Sequence, residues 1–308
     1  MKEIALVGFS ANAEVIQVYD RMTTKQKGVL ESFESDLCGT SANVARAIIS
    51  LGQSSKVLAL TGVGDDLESH ILRFALKKFP VPYSEFMVLN HSHISVLPLD
   101  GIPNTKIFGR KGSFMEGEIM EEKIGETIAL IDKEIGLWRI ATGVRPEETP
   151  LVTELFNKHE GHRSLNPRRE LVEDRPKFIE TARNADLLIM NQEEFDYCDE
   201  VSIDELHKLG PRLVIITRSK DGGAFSVKGS EPEKFKPCTD YLKNSEVVET
   251  GAGDWFHAAF IVRCIELGKS ISTLSLEEVR ECIAFAARVS GKKVTMPGAA
   301  NGPNKEDL

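Results

Sequence analysis

Glu249-Thr250-Gly251-Ala252-Gly253-Asp254 runs directly into Trp255-Phe256-His257-Ala258-Ala259-Phe260-Ile261-Val262. Two glycines and an alanine make a turn poor in side chains, and a carboxylate closes it. The apolar, alanine-bearing segment beyond it predicts a helix with few polar residues. A glycine turn at a helix start presents free backbone N–H groups and the positive end of the helix dipole, a setting that attracts an anion. Asp254 adds a carboxylate able to serve as general base. An anion hole beside a base is what transfer of a phosphoryl group to an alcohol requires. The same residue types also suit an ordinary helix cap, so the rest of the chain has to decide between the two.

The bulk properties narrow the class. The 308 residues suit one large domain or a main domain with a small appendage. Hydrophobic residues at 41% and charged residues at 28% describe a folded globular chain. The net charge of −9 speaks against a nucleic-acid surface. No window has the ~18 apolar residues of a membrane span, and the apolar start at residues 4–8 reads as a buried strand, so a cytoplasmic protein is expected. Five cysteines without a C-x-x-C pair disfavour both a disulfide framework and a zinc site. His159 and His162 have H-x-x-H spacing but read as a polar loop.

Along the chain, a first strand at 4–8 is followed by an irregular stretch at 10–36, read as short strands and turns. A helix over 43–51 stops at Gly52, and a strand over 56–61 ends in Gly62-Val63-Gly64-Asp65-Asp66. The region 85–113 alternates like a hairpin. With 10–36 it predicts a small β lobe built from two distant excursions. From residue 116 onward helices alternate with strands, with a helix expected over 118–134. The late strands, such as Leu187-Leu188-Ile189-Met190 and Leu213-Val214-Ile215-Ile216, are continuously apolar. That pattern fits a parallel sheet covered on both faces, where ligands sit beyond the carboxyl ends of strands. Asn191/Glu194, Thr217/Gly222 and Gly251/Asp254 all lie just past strands.

No P-loop, dinucleotide fingerprint or G-x-S-x-G occurs, so a phosphate site has to come from the glycine turn itself. Thr250-Gly251-Ala252-Gly253-Asp254-Trp255-Phe256 resembles the C-terminal signature of the PfkB/ribokinase family of carbohydrate kinases. Cys38-Gly39-Thr40-Ser41-Ala42-Asn43-Val44-Ala45 with Leu51-Gly52 resembles its N-terminal signature. Gly62–Asp66 is similar to a strand-end turn of the family. Asn191-Gln192-Glu193-Glu194 is similar to its N-x-x-E motif, and Thr217 to Gly222 to its T-x-G-x-x-G turn. The matches come in the family's order, from the first strand to the last helix.

The resemblance implies a three-layer α/β/α ribokinase-like domain over 1–308, with a mostly parallel sheet. It also implies a β-sheet lid from about 10–37 and 85–115. The implied activity is ATP-dependent phosphorylation of a sugar or sugar-like hydroxyl. Asp254 would be the base, and the N–H groups of Gly251, Ala252 and Gly253 the anion hole. Asn191 and Glu194 would hold Mg²⁺ through water, with an N-cap as the alternative for that pair. Thr217, Ser219, Gly222 and Thr250 would line the nucleotide side together with Asn191. Asn12, Glu14, Gly39 and Asn43 would face the acceptor, and Asn166 and Arg168 the acceptor or phosphate. A homodimer through the lid is implied as well.

Departures fall mostly on the acceptor side. Val248 stands where the family usually has an aspartate that helps hold a monovalent cation, which puts potassium activation in question. Cys38 replaces a glycine, Glu14 a shorter aspartate, Ser219 a glycine and Ser164 an aspartate. Lys106, Arg110 and Lys111 in the lid offer a phosphate grip or a solvated loop. Two alternatives remain beside the sugar kinase: a nucleoside kinase on the same fold, with Phe9, Phe86 and Phe108 as a base shelf, and a catalytically silent ligand-binding homologue.

Overall fold

The structure is a computed structural model. It describes residues 2–7, 12–19, 30–53, 57–63, 83–87, 89–91, 94–99, 108–110, 113–114, 135–157, 161–198, 201–242, 247–296, 298–299 and 301–308, with nine isolated positions between 70 and 129. Within the longer stretches, side chains are described for 39–53 and from 138 onward.

The main sheet has nine strands. In chain order they are β1 (Lys2–Val7), β4 (Val57–Val63), β5 (Tyr83–Met87), β10 (Ile135–Val144), β11 (His162–Pro167), β12 (Leu187–Asn191), β13 (Leu213–Thr217), β14 (Gly223–Val227) and β15 (Glu233–Phe235). Their spatial order is β15-β14-β13-β12-β11-β10-β1-β4-β5. All neighbours from β13 to β5 are parallel, while β14 and β15 add an antiparallel edge.

A second sheet contains β2 (Asn12–Tyr19), β3 (Leu30–Cys38), β7 (Ile94–Leu99) and β8 (Phe108–Arg110), in the order β3-β2-β7-β8. A short pair joins β6 (Leu89–His91) to β9 (Ser113–Phe114). The two excursions therefore meet, but through a parallel β2–β7 pairing. The irregular stretch at 10–36 contains two long antiparallel strands. Sequence alternation shows a strand but not its partner, because pairing depends on distant chain.

The α-helices whose full extent lies among the described residues are α1 (Thr40–Ile48), α2 (Thr149–Asn157), α3 (Arg169–Glu173), α4 (Arg175–Ala182), α5 (Gln192–Asp196), α6 (Ile203–Leu209), α7 (Ala252–Glu266) and α8 (Leu276–Lys293). Side chains alternate faces along a strand, and the central strands feed two cores. Leu187, Ile189, Leu213 and Ile215 pack with α1, α7 and α8. Leu188, Met190, Val214 and Ile216 pack with Leu151, Leu155, Leu171, Phe178 and Leu206 from the other helices. This is the three-layer arrangement expected from the continuous apolar runs.

Helix α7 is buried on every side from Trp255 to Val262, as a helix between a sheet and two other helices must be. Helix α1 ends in a π-type turn over Ile49–Gln53, where Gly52 takes φ 92°. Most of 118–134 lies outside the described residues. No helix among those described is long and apolar enough to cross a membrane.

Candidate active site

Because β10 to β13 are parallel, their carboxyl ends come out together. Thr142 is in register with Asn166, and Asn191 with Thr217. The N-terminus of α7 meets this edge. Gly251 caps the helix at φ 83°, a conformation glycine tolerates. A Cβ there would also stand 2.2 Å from the Ala299 carbonyl oxygen, so the turn has no room for a side chain. Gly253 is different: among the described residues nothing beyond its own helix lies within 4 Å of a Cβ there.

Two cavities meet at this turn and share Asn191, Thr217 and Gly253. The smaller, about 240 Å³, is bounded by Thr40, Gly143, Asn166, Arg168, Glu194 and Asp254 among others. The larger, about 370 Å³, runs along Ser219, Gly222, Phe235, Val247, Ala287 and Val294. Apolar walls with a few polar groups suit a flat heterocycle, and a polar chamber suits a hydroxylated molecule.

Asp254 is half-buried and accepts a hydrogen bond of 2.7 Å from Asn43 Nδ2. Desolvation pushes its carboxyl up to about 7, against the Asn43 bond and the charges of Arg168 and Lys293. Asn43 is buried, and its Oδ1 has no partner among the described residues. Burial also pushes Glu194 up to about 7, with Asp254 adding to the rise, while the Asn191 N–H and Arg168 oppose it. Two acids with the same tendency thus face one chamber, with Arg168 between their demands.

Asn191 and Glu194 form a reciprocal cap at the start of α5. Asn191 Oδ1 accepts from the Glu194 N–H at 2.7 Å, and Glu194 Oε2 accepts from the Asn191 N–H at 2.8 Å. The plain cap reading of this pair is therefore present in the geometry. It leaves the other Glu194 oxygen for a ligand. Among the described residues no cluster of three or more His, Cys, Asp or Glu side chains could hold an ion alone. Mg²⁺ needs no such cluster, since it keeps waters and shares phosphate oxygens. Glu194 and Asp254, two carboxyl groups lining one chamber, have the hard oxygen donors that suit it.

The other expected residues divide. Thr217, Ser219 and Gly222 line the larger cavity. Gly222 takes φ 79°, and a Cβ there would lie 2.1 Å from the Phe235 carbonyl oxygen. Ser219 adopts φ 49° without being glycine. Asn166 and Arg168 line the smaller chamber, but the Asn166 amide is largely engaged. Its Oδ1 accepts from Thr142 Oγ1 at 3.3 Å and its Nδ2 donates to the Ile189 carbonyl at 2.9 Å, tying three strand ends together.

Of the three expected N–H donors, that of Ala252 is committed to the Glu249 carbonyl at 3.1 Å. The first-turn groups of Gly253 and Asp254 are the ones a helix leaves over. Gly39 caps α1 at φ 94° and lines neither cavity; Thr250 also lines neither. Asn12 and Glu14 lie on β2, and their side chains lie outside the described residues, as do those of Cys38, Lys106, Arg110 and Lys111.

Thr40 and Gly143 in the chamber wall were not expected. Thr40 lies inside the N-terminal motif, while Gly143 carried no sequence signal beyond ending a strand. Also unforeseen is the buried contact of Ser164 Oγ with His257 Nε2 at 2.6 Å, which joins β11 to α7. Burial lowers His257 to about 3, so the ring is neutral.

Comparison with known proteins gives the chain a family and a fold. The profile of the pfkB family of carbohydrate kinases matches residues 141–307. A ribokinase of Arabidopsis thaliana is 32% identical over 111 residues, which is 36% of this chain and 26% of that protein. The chain thus matches about a quarter of that relative's length. Ribokinase from Giardia lamblia superposes with a TM-score of 0.76 at 18% identity, covering 100% of this chain and 98% of the other. A nucleoside kinase from Methanocaldococcus jannaschii gives 0.69 at 19% identity, covering 99% and 96%. These low identities establish the fold. The profile match covers more than half of the sequence and includes the strand ends and the glycine turn, so the chain belongs to the pfkB family of carbohydrate kinases.

Proposed function

We propose that this protein transfers the γ-phosphoryl group of ATP to a hydroxyl of a sugar or sugar-like alcohol. The observation that carries this is Asp254 at the mouth of the Gly251–Gly253 turn, where a polar chamber and an apolar cavity meet. Nucleotide would take the larger cavity, with its phosphates toward Gly253, Asn191 and Thr217. The acceptor would take the smaller one.

Asp254 takes the proton of the attacking hydroxyl. The oxygen forms its bond to γ-phosphorus as the bond to the β–γ bridging oxygen breaks, and ADP leaves with that electron pair. The Gly253 N–H and the α7 dipole stabilise charge on the moving phosphoryl group, with Arg168 near enough to act on both carboxylates. Asn43 orients Asp254, and its unpartnered Oδ1 suits a hydroxyl of the acceptor. Glu194 and Asn191 would hold Mg²⁺ through water, and the ion would supply charge neutralisation at the nucleotide phosphates. The sheet of β2, β3, β7 and β8 would act as a lid that excludes competing water. Its edge strands β3 and β8 give a second copy a surface to pair with, so a homodimer belongs to the proposal.

A coupled ADP-release screen over sugars, sugar phosphates and nucleosides tests the reading. A sugar or polyol should support ADP release. A strong preference for nucleosides would move the assignment to a nucleoside kinase, whose fold the Methanocaldococcus protein shares. Nucleotide binding without turnover on any alcohol would favour a ligand-binding homologue.

A further inference from the structure

The residues around the glycine turn do not fit a bound monovalent cation. Position 248 is valine, and its N–H donates to the Val294 carbonyl at 2.7 Å. Next to Val294 lies Lys293, in the last turn of α8 and fully buried. Its Nζ donates to the Gly298 carbonyl at 2.9 Å and to the Met296 carbonyl at 3.3 Å. A buried ammonium is costly unless oxygens replace its water, and here backbone carbonyls do so. Those carbonyls come just before Ala299, whose own carbonyl backs Gly251. The charge of Lys293 also reaches Asp254, where it opposes the effect of burial. The same ammonium therefore holds the wall behind the turn and bears on the base in front of it.

We propose that Lys293 is a built-in cation: its ammonium holds the Met296 and Gly298 carbonyls behind Gly251, and the protein needs no bound monovalent ion there. A lysine at a helix end can simply cap nearby carbonyls. That role alone predicts no link to salt identity. The catalytic part of the proposal rests on the kinase reading; the structural part does not.

The test compares potassium chloride, methylammonium chloride and tetramethylammonium chloride at equal ionic strength. Wild-type ADP release and melting temperature should agree within about twofold and about one degree across the three salts. Lys293→Ala should lose about tenfold or more in kcat in tetramethylammonium chloride. It should recover part of that loss, with a higher melting temperature, when potassium or methylammonium can enter the vacated space. Lys293→Met fills the space without charge, and should be impaired in all three salts. Stimulation of the wild type fivefold or more by potassium would overturn the proposal. So would a Lys293→Met protein with wild-type kcat, or identical salt responses of melting in wild type and Lys293→Ala. The melting comparison needs no substrate, so it decides the point even if no alcohol is phosphorylated.

Discussion

Asn43 on α1 donates a 2.7 Å hydrogen bond to Asp254 on α7, joining residues 211 positions apart. The bond unites the two ends of the family pattern: the asparagine of the first motif orients the carboxylate of the last. It also opposes the desolvation that drives the Asp254 carboxyl toward about 7. Asn43→Ala should therefore lower kcat/KM by about tenfold or more, the worth of a hydrogen bond to a charged group. The acidic limb of its pH–rate profile should move to higher pH. A profile unchanged from wild type would mean that the bond does not act on the base.

As the proposed base, Asp254 must be ionised to work, so wild-type activity in the absence of other limits should fall as pH drops below about 7. Stability has the opposite slope. A carboxyl raised in the folded state holds its proton there longer than in the unfolded chain. Its contribution therefore becomes less favourable as pH rises from about 4 through about 7. Asp254→Asn should melt higher than wild type at pH 8, by on the order of 2 kcal/mol for a half-buried carboxylate, and match it near pH 4. Melting curves at both pH values check the sign.

Gly253 separates packing from function. Among the described residues nothing beyond its own helix lies within 4 Å of a methyl group there, and alanine favours a helix over glycine by up to about 1 kcal/mol. Gly253→Ala should melt at or above the wild-type temperature, yet bind ATP more weakly and turn over at least about tenfold more slowly. A variant that is both stable and fully active would remove phosphate from the space above this residue.

Ser219 marks a position where the backbone asks for glycine. It holds φ 49°, a left-handed conformation that costs an L-residue about 1–2 kcal/mol. Glycine would relieve that and give back about 0.5–1 kcal/mol in chain entropy. Ser219→Gly should therefore gain roughly 0.5–1 kcal/mol, read from denaturant midpoints, with the turn at Ser219–Gly222 intact.

Some of this was legible in the sequence because local chemistry dictates it. Continuous apolar runs such as 187–190 can only be strands covered on two faces, and Gly251 and Gly222 mark backbone that approaches its neighbours too closely for a Cβ. Placement of Asn191, Thr217 and Asp254 together follows from parallel strands whose carboxyl ends share one edge. What was not legible depends on long-range partners. Asn166 reads as a ligand until Thr142 and Ile189 are seen to occupy its amide. Ala252 reads as an anion donor until Glu249 takes its N–H. Lys293 carries no sequence signal for its burial against the Gly298 carbonyl. Ser164 and His257, 93 positions apart, carry no shared sequence signal at all.

The most direct test of Asp254 as the base is the initial rate of ADP release at pH 8 from wild type and Asp254→Asn. Both are measured with an alcohol found to be accepted, and with ATP affinity measured alongside. The variant should lose about 10²–10⁴ in kcat, the usual worth of a positioned base, while binding ATP within about threefold of wild type. An Asp254→Asn protein that releases ADP within about tenfold of the wild-type rate would contradict the assignment.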